Sequence, residues 1–219
     1  MLWSRTCLVL AVTCLSMLDL TVASTVVMAA GHCPSPGTQA DFDMSKFAGV
    51  WHELESFDRN SSVCVSIFYS QHDNETYNVS SIGYIESLGN DSTIHRTPIT
   101  IKANAYAPNA SSPAELRLTY PGYNTTDGQP NYFIVSTDYV TYAVIYSCSS
   151  YFGDTINIHG AWILTRDRGV APSNLTQIKD ELAAAGVLVK NFGPSNQSNC
   201  EVDTAPLTPL APEATTLAP

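Results

Sequence analysis

The stretch FAGVWHELESF, residues 47–57, predicts the first strand of a closed β-sheet that is entered through a tight turn. Gly49 has no Cβ and therefore allows the backbone to pass close to a bulky group. Trp51 follows two residues later, and because side chains alternate along a strand, both residues point to the same face. An indole at this position can close one end of a barrel, or it can be an ordinary core residue beside a turn.

Two later segments complete a pattern that begins with this Gly-x-Trp stretch. A Thr-Asp-Tyr triplet stands between two apolar runs at residues 137–139, and Arg166 ends the apolar run that starts at Trp162. In this order and at this spacing, the three segments resemble the signature of the lipocalin family. The likeness extends in particular to its apolipoprotein D-like group, which includes invertebrate lipid-binding and bilin-binding members. It covers roughly residues 33–200.

In that family the three segments meet at the closed end of an eight-stranded barrel, so the resemblance implies the same fold here. We expect the Arg166 guanidinium to stack on the Trp51 indole, because guanidinium groups favour aromatic faces. The residues assigned to barrel closure are Gly49, Trp51, Thr137, Asp138, Tyr139 and Arg166.

The charge of the chain excludes one class of partner. Acidic residues outnumber basic residues 20 to 10, and the formal net charge is −10. A site for nucleic-acid phosphate needs clustered Lys and Arg, and the sequence contains no basic run, so we expect no nucleic-acid partner. The 11 Tyr and 7 Phe residues, with frequent Val, Ile and Thr, favour strands over helices.

The first residues have the features of an export signal. Arg5 precedes an apolar run over residues 7–18, and small residues follow at two candidate cleavage points. This pattern predicts a secretory signal peptide over residues 1–30, cleaved at 24 or at 30. No other run reaches the length of a membrane helix. We therefore expect a secreted, extracellular protein without stable membrane insertion.

The remainder of the chain divides into a domain and a tail. Residues 31–200 contain all the barrel motifs and form the predicted lipocalin domain. Residues 201–219 are rich in Thr, Ala and Pro and have too few large apolar residues to join a core, so they predict a disordered tail.

Four of the six cysteines remain after removal of the signal. An even number in an exported chain indicates disulfide bonds, and the sequence alone allows three pairings. The resemblance implies one of them, in which Cys33 pairs with Cys148 and Cys64 pairs with Cys200.

The chain also carries eight Asn-x-Ser/Thr acceptors, which predict a heavily glycosylated surface on an exported protein. They are Asn60, Asn74, Asn78, Asn90, Asn109, Asn124, Asn174 and Asn196.

Apolar runs separated by clusters of Asn, Gly, Ser, Asp and Pro predict an up-and-down sheet. After the first strand, the predicted strands cover residues 63–69, 76–85, 97–106, 114–120, 132–136, 141–146 and 156–165. Before the first strand, residues 41–44 predict a loop across the barrel base.

One helix is predicted after the eighth strand. Ser173 or Asn174 can cap it, Leu175, Ile178, Leu182 and Ala185 form its apolar stripe, and Gly186 can end it. Residues 187–189 then predict a short ninth strand. The predicted fold is therefore all-β: an eight-stranded up-and-down antiparallel barrel with one C-terminal α-helix and a short ninth strand.

The sequence contains no complete catalytic or metal-binding motif. His52-Glu53 begins like a zinc-protease motif, but Ser56 stands where the second histidine is needed. The 5 histidines have no metal spacing, so we expect no metal, and no cofactor unless the apolar ligand is itself a bilin. His159 would reach a ligand if it faced inward and would be solvated if it faced outward.

One enzyme hypothesis concerns Cys64. Lipocalin-type prostaglandin synthase uses a cysteine in the early barrel as its nucleophile, which must be a free and activated thiolate. Because the resemblance pairs Cys64 with Cys200, we expect no enzyme activity.

The interior face of the strands predicts the ligand site. If Tyr69 faces inward, alternation places Ile67 and Val65 on the same wall, while Trp162 and Leu164 share a face of the eighth strand. The resemblance matches Trp162, Tyr69 and, more weakly, Tyr132 to ligand-lining positions. The predicted ligand-binding residues are Trp162, Tyr69, Ile67, Val65, Leu164 and Tyr132.

The function implied is an extracellular carrier that binds a fatty acid, steroid, retinoid or bilin inside the barrel. Two alternatives stay open, since a fold does not determine a function. The barrel could be only the scaffold of a secreted recognition glycoprotein, or the protein could be a thiol-dependent isomerase. The sequence does not identify a lipoprotein or receptor partner.

Overall fold

The computed structural model of the protein describes residues 27–57, 62–73, 75–90, 92–122 and 128–200. Most of the predicted signal, the predicted tail, and the sequons at Asn60, Asn74 and Asn124 lie outside these residues. The strands are β1 (Val27–Ala30), β2 (Gly49–Ser56), β3 (Val63–Gln71), β4 (Thr76–Leu88), β5 (Ile94–Tyr106), β6 (Glu115–Thr119), β7 (Tyr132–Thr137), β8 (Tyr142–Tyr151), β9 (Ile156–Thr165) and β10 (Gly193–Pro194). The helices are α1 (Met44–Phe47) and α2 (Leu175–Ala184), and a 3-10 turn covers Val189–Asn191.

Strands β2 to β9 close into an eight-stranded antiparallel barrel. Each strand pairs with the next in chain order, and β2 also pairs with β9, so the sheet returns to its first strand. The predicted fold class, an up-and-down barrel followed by a C-terminal helix, is thereby confirmed. A barrel of eight strands leaves an interior wide enough for side chains or for one small ligand.

Two short strands extend the sheet beyond the barrel. β1 pairs with the first half of β9, with Val27 opposite His159. β10 pairs with the end of β2, with Gly193 opposite Ser56. β1 lies in the last four residues of the predicted signal segment, residues 1–30.

The prediction of a ninth strand at residues 187–189 is wrong. Gly186 adopts a positive φ of 86° and reverses the chain after α2, so that the Val187 N–H donates to the Leu182 carbonyl at 3.0 Å. Val187 is buried beneath the helix. The apolar run therefore marks packing rather than strand pairing, and the extra strand lies a few residues later, at β10.

The predicted loop at residues 41–44 leads into the one-turn helix α1. Asp43 caps it, since its Oδ1 accepts hydrogen bonds from the backbone N–H groups of Ser45 at 3.0 Å and Lys46 at 3.4 Å. A single turn is too short to show helical periodicity, which is why the sequence pattern did not predict it. The turn places Phe47, which is 0% exposed, under the barrel.

Helix α2 packs on the outer wall of the barrel. Ile178 and Leu182 of its predicted apolar stripe are buried there, and Lys179 forms an ion pair with Glu55 of β2 at 2.6 Å. Asn174 is the N-cap residue, although its side chain makes no capping hydrogen bond. The outer layer comprises Phe57, Val144, Tyr146, Cys148, Ala161, Ile163, Ile178, Leu182, Val187 and Phe192.

Two disulfide bonds connect the ends of the domain to the barrel. Cys33 is bonded to Cys148, which ties the segment before α1 to β8. Cys64 is bonded to Cys200, which ties the end of the described chain to the start of β3. These are the two pairs that the resemblance implies.

Candidate functional site

The closed end of the barrel is built around Arg166. Its Cζ lies 3.7 Å from the centroid of the Trp51 indole. Its Nη1 donates to the Val50 carbonyl at 2.8 Å, and its Nε donates to the Tyr139 carbonyl at 3.1 Å. Nη2 lies 3.1–3.3 Å from the carbonyls of residues 46–48. The guanidinium thus connects the end of β9 to α1, β2 and the β7–β8 turn.

Gly49 makes room for this guanidinium. Its φ is +105°, and a Cβ at this position would lie 3.2 Å from Nη1 of Arg166. The glycine is therefore needed both for the backbone conformation and for the close approach, as the Gly-x-Trp stretch predicted.

The Thr-Asp-Tyr segment forms the turn that faces Arg166. The Thr137 hydroxyl donates to the Tyr142 carbonyl at 2.7 Å. Asp138 Oδ1 accepts hydrogen bonds from the backbone N–H groups of Thr141 at 2.7 Å and Tyr142 at 3.0 Å. Burial alone would raise the pKa of Asp138, but these hydrogen bonds lower it. The structure brings all six residues assigned to barrel closure together.

A cavity of about 370 Å³ lies above this closed end. Several of its lining side chains are solvent-exposed, Ile101 at 54%, Tyr151 at 47% and Tyr120 at 43%, so the cavity opens at the opposite end of the barrel. It is lined by Glu53, Ser62, Val65, Ile67, Val79, Ser81, Gly83, Ile99, Ile101, Ala103, Leu118, Tyr120, Tyr132, Ser147, Ser149, Tyr151, Ile158, His159, Gly160 and Trp162.

Four of the six predicted ligand-binding residues line this cavity, namely Val65, Ile67, Tyr132 and Trp162. The other two, Tyr69 and Leu164, are not among the residues that line it. Tyr69 is 2% exposed and packs edge-on against Phe47, with ring centroids 4.9 Å apart. Leu164, two residues nearer the closed end than Trp162, is 0% exposed. Both belong to the inner core under the cavity floor, because alternation fixes the face of a side chain but not its depth.

Trp162 lies flat over a glycine on the same strand. A Cβ at Gly160 would come within 2.8 Å of Cη2 of the indole. The missing side chain therefore gives the indole its position in the wall. The alternation of residues 158, 160 and 162 along the strand is the sequence signal that corresponds to this contact.

The floor of the cavity contains a pair of tyrosine hydroxyls. The hydroxyl oxygens of Tyr69 and Tyr132 lie 2.5 Å apart, and the Tyr132 ring is 6.3 Å from that of Trp162. Burial raises the pKa of both hydroxyls above the ordinary value of 10, so both are neutral at physiological pH. The sequence did not indicate this pair, since the two residues lie on different strands.

One part of the barrel wall is formed by the C-terminal strap, which we define as residues 195–200. The pairing of β2 with β3 ends at His52 and Ser66. Beyond that point, Nε2 of Gln197 donates to the Glu53 carbonyl at 2.8 Å and to the Val65 carbonyl at 3.0 Å. The strap thus bridges the gap between the two strands.

Glu53 places a buried carboxylate beside this gap. The residue is 5% exposed and lines the cavity. Its Oε1 accepts hydrogen bonds from the hydroxyls of Ser56, at 2.9 Å, and Ser195. The strap therefore adds a hydrogen bond to a carboxyl group whose burial without partners would be costly.

His159 is not exposed to solvent, and its ring does not point into the cavity as the Trp162 indole does. It borders the cavity, but its ring lies in the outer layer, 5.7 Å from the Phe57 ring, and its Nδ1 is 3.1 Å from the Tyr146 hydroxyl. At 2% exposure it is buried, and this burial lowers the pKa of His159. The prediction that an outward-facing His159 is solvated is wrong, because β1 and Phe57 cover it.

The remaining candidate sites are on the surface. Asn90, Asn109 and Asn196 are exposed, whereas Asn78 and Asn174 are half-buried. Within the described ranges, no group of three or more His, Cys, Asp and Glu side chains could hold a metal ion. The helices among these residues are also too short or too polar to cross a membrane.

The chain is similar in sequence to several proteins. It is 32% identical to apolipoprotein D from Mus musculus over 174 residues, which covers 78% of this chain and 85% of the relative. It is 25% identical to the Lazarillo protein from Schistocerca americana, covering 72% of this chain and 71% of the relative.

Two solved structures show the same fold. Lobster apocrustacyanin A1 superposes with a TM-score of 0.58 at 20% identity, over 80% of this chain and 93% of the other. Insecticyanin from the tobacco hornworm Manduca sexta gives 0.54 at 21% identity, over 79% and 90%.

The family assignment rests on the barrel and on a match to a family model. The model of the lipocalin / cytosolic fatty-acid binding protein family matches residues 48–192, which extend from the Gly-x-Trp stretch to the segment before β10. The chain belongs to this family.

Proposed function

We propose that the protein is an extracellular carrier that binds one small hydrophobic molecule inside the barrel. The observation that carries the proposal is the cavity of about 370 Å³, which is lined largely by aliphatic and aromatic side chains. Ligand pockets in proteins are concave, mostly apolar and largely preformed, and their volumes run from about 300 to 1,000 Å³. Because its floor is sealed and its mouth is open, the cavity is a binding pocket with one entrance.

Burial of apolar surface can supply the affinity. A methylene group contributes about 0.8 kcal/mol when it leaves water. Ten methylenes would contribute about 8 kcal/mol before entropy costs, which corresponds to roughly micromolar binding. The cavity does not need a charged anchor to reach this affinity.

The size and lining of the cavity favour a fatty acid, steroid or retinoid over a bilin. The volume is at the lower end of the usual range. A bilin also carries two propionates, and the described residues that line the cavity include neither Lys nor Arg. Several relatives are named apolipoprotein D, which agrees with a lipid ligand.

Export is part of the proposal. The apolar segment after Arg5 supports a secretory signal. The two disulfide bonds support an oxidising compartment, since such bonds are rare in the cytosol. The exposed sequons support glycosylation on the same route.

The two alternatives predict different observations. A thiol-dependent isomerase would need Cys64 as a thiolate, and Cys64 is bonded to Cys200. A recognition glycoprotein with a scaffold-only barrel would bind no apolar ligand. A binding experiment therefore distinguishes the carrier from the recognition glycoprotein.

Tryptophan fluorescence tests the carrier proposal. Trp51 is 0% exposed at the floor, whereas Trp162 lines the cavity, so a ligand should quench Trp162 alone. We expect saturable quenching by at least one of arachidonate, progesterone, retinol and biliverdin. Quenching should be lost in Trp162→Phe.

A charge in the wall provides the second arm of the test. Ile67→Glu places a carboxylate in the cavity and should weaken binding at least tenfold, since an unpaired buried charge is strongly disfavoured. Val170→Glu is the matched control, because Val170 is 58% exposed on a loop and should leave binding unchanged. If none of the four ligands quenches Trp162 fluorescence and native protein yields no extractable apolar compound, the carrier hypothesis is wrong and the scaffold hypothesis is favoured.

A further inference from the structure

The two floor tyrosines contain one more hydrogen-bond donor than their contact uses. Each phenol carries a single O–H and can also accept. The hydroxyl oxygens of Tyr69 and Tyr132 are 2.5 Å apart, and neither hydroxyl has another hydrogen-bond partner among the described residues. One of the two O–H groups donates within the pair, and the other must point elsewhere.

The surroundings decide which O–H points elsewhere. Tyr69 is 2% exposed and is packed against Phe47 under the floor, where a second donor direction would meet apolar groups and remain unsatisfied. Tyr132 is 7% exposed and lines the cavity. The favourable arrangement has Tyr69 donating to Tyr132, while the O–H of Tyr132 is directed into the cavity.

We propose that the Tyr132 hydroxyl donates a hydrogen bond to a neutral acceptor, such as a ketone, aldehyde or ester carbonyl, on the end of the ligand that enters the cavity first. Tyr69 is the positioning residue, since it holds Tyr132 in the donating orientation. This inference rests on the proposed carrier function and adds the chemical class of the ligand.

A neutral acceptor fits this site better than a carboxylate. The buried pair consists of two uncharged hydroxyls, and the described residues that line the cavity supply no Lys or Arg. A carboxylate at the floor would lose its hydration for one hydrogen bond, whereas a carbonyl loses much less. The apolar walls then bind the apolar remainder of the molecule.

A pair of probes that differ only in the carbonyl group tests the proposal. The probes are 2-tridecanone and tridecane, titrated against the disulfide-bonded protein with Trp162 fluorescence as the readout. Tyr132→Phe should weaken ketone binding by about 2- to 12-fold, which is the range for one neutral hydrogen bond. It should leave alkane binding unchanged or slightly tighter.

Isotope-edited infrared spectroscopy reports the hydrogen bond directly. The carbonyl band of ¹³C-labelled 2-tridecanone should move to lower wavenumber in the bound state, and this shift should be lost in Tyr132→Phe. Tyr142→Phe is the matched control, because Tyr142 does not line the cavity and its hydroxyl lies 3.0 Å from that of Ser136. It should change neither the band nor the affinity for either probe.

Tyr69→Phe tests the positioning role. The bound ketone should keep a shifted band, but the shift should be smaller, because Tyr132 no longer accepts a hydrogen bond that strengthens its own donation. If Tyr132 instead donates to Tyr69, the substitution would release the Tyr132 hydroxyl and enlarge the shift, which contradicts the proposal.

The outcomes separate the two proposals. If neither probe binds but one of the four ligands of the carrier test quenches Trp162, this inference fails while the carrier function stands. If none of the six compounds binds and native protein yields no extractable apolar compound, both proposals fail. If both probes bind but Tyr132→Phe changes their affinities equally, or the bound carbonyl shows no shift, the ketone preference is wrong while the carrier function stands.

Discussion

Arg166 holds the closed end of the barrel through interactions of two kinds. Its guanidinium face covers the Trp51 indole, and its N–H groups donate to carbonyls on three separate segments. This geometry requires the planar, five-donor shape of an arginine. It also requires a neighbour without a side chain, which Gly49 provides.

We expect Arg166→Ala to lower the free energy of unfolding by about 3 kcal/mol or more, because it removes several charged hydrogen bonds and a cation–π contact. In a chain of this size, that loss corresponds to a fall in melting temperature of roughly 6–12 °C. Ligand affinity should stay nearly unchanged, since the cavity lies above the sealed Trp51. Thermal unfolding and the fluorescence titration measure the two quantities.

Arg166→Lys is the control for this prediction. Lysine keeps the charge but lacks the planar fork, so it should restore only part of the stability. A loss of ligand binding with unchanged stability would show that Arg166 contacts the ligand rather than the floor.

The buried His159 makes folding stability depend on pH. Burial lowers the pKa of His159 below the ordinary value of 6.5, so the unfolded chain binds a proton at a pH where the folded chain does not. The stabilising contribution is therefore complete above pH 6.5 and is lost as the pH falls through the lower folded-state pKa. Urea unfolding at several values between about pH 7 and pH 5 should show this loss.

His159→Gln separates this effect from the titration of carboxylates. Glutamine can still bond to the Tyr146 hydroxyl but carries no titrating group, so the variant should lose less stability over the same pH interval. An equal loss in both proteins would rule out His159 as the source.

At the scale of elements, alternation and turn residues predicted the barrel well. The bounds of β9 agree with the predicted strand at both ends. β4 and β5 extend further toward their shared turn than predicted, and β8 continues to Tyr151 although its predicted end is residue 146. Alternation also gave Val65, Ile67 and Trp162 as cavity residues. These features depend on local spacing, which a sequence displays directly.

Features that depend on depth or on distant pairing could not be predicted in this way. Tyr69 has the inward orientation that was expected, but its height in the barrel depends on the stagger of the strands. β1 and α1 were missed because four residues show no periodicity. The contact of Gln197 with the carbonyls of Glu53 and Val65 joins segments far apart in the chain, and no local pattern indicates it.

The position of β1 leads us to propose that the signal is cleaved after residue 24. β1 pairs with β9 over four residues, and the Gly31 N–H donates to the Thr155 carbonyl at 2.9 Å. Sequencing of the secreted protein should therefore find Thr25 at its N-terminus. A chain that begins at Gly31 should be less stable by about 1–2 kcal/mol, because it loses the packing of Val27.

A secreted protein that begins at Gly31 would contradict this proposal. Hydrogen exchange provides an independent check. Among residues 156–159, the amides that point toward β1 rather than β8 should be protected in the longer chain and exposed in the shorter one.

At the scale of the whole molecule, the two disulfide bonds should have similar effects on stability and different effects on binding. They span 115 and 136 residues, and the chain-entropy model gives about 4–5 kcal/mol for loops of this length. Replacing either pair with serine should lower the free energy of unfolding by up to this amount. Only loss of the Cys64–Cys200 bond should also weaken ligand binding, because that bond holds the strap against the cavity wall.

The matched comparison is between the Cys33→Ser/Cys148→Ser and Cys64→Ser/Cys200→Ser proteins, measured by urea unfolding and by fluorescence titration. Equal ligand affinity in both would show that the strap does not complete the site.

The surface pattern predicts where the sugars lie. Of the described sequons, Asn90, Asn109 and Asn196 are exposed, and Oδ1 of Asn78 is buried without a hydrogen-bond partner. Glycopeptide mapping should find the three exposed sites more fully occupied than Asn78. Full occupancy at Asn78 would mean that β4 forms only after the sugar has been attached.

The position of the strap also has a consequence for biosynthesis. A ribosome releases the chain from its N-terminus, so all eight barrel strands emerge before residues 195–200. Until then, Gln197 cannot close the gap between β2 and β3, which opens sideways onto the cavity. Cys33 and Cys148 can already form their disulfide bond at this stage, whereas Cys64 cannot pair until Cys200 has been synthesised. We therefore expect the nascent barrel to have a lateral entrance that the finished protein lacks, through which a hydrophobic ligand could load before the last residues complete the wall.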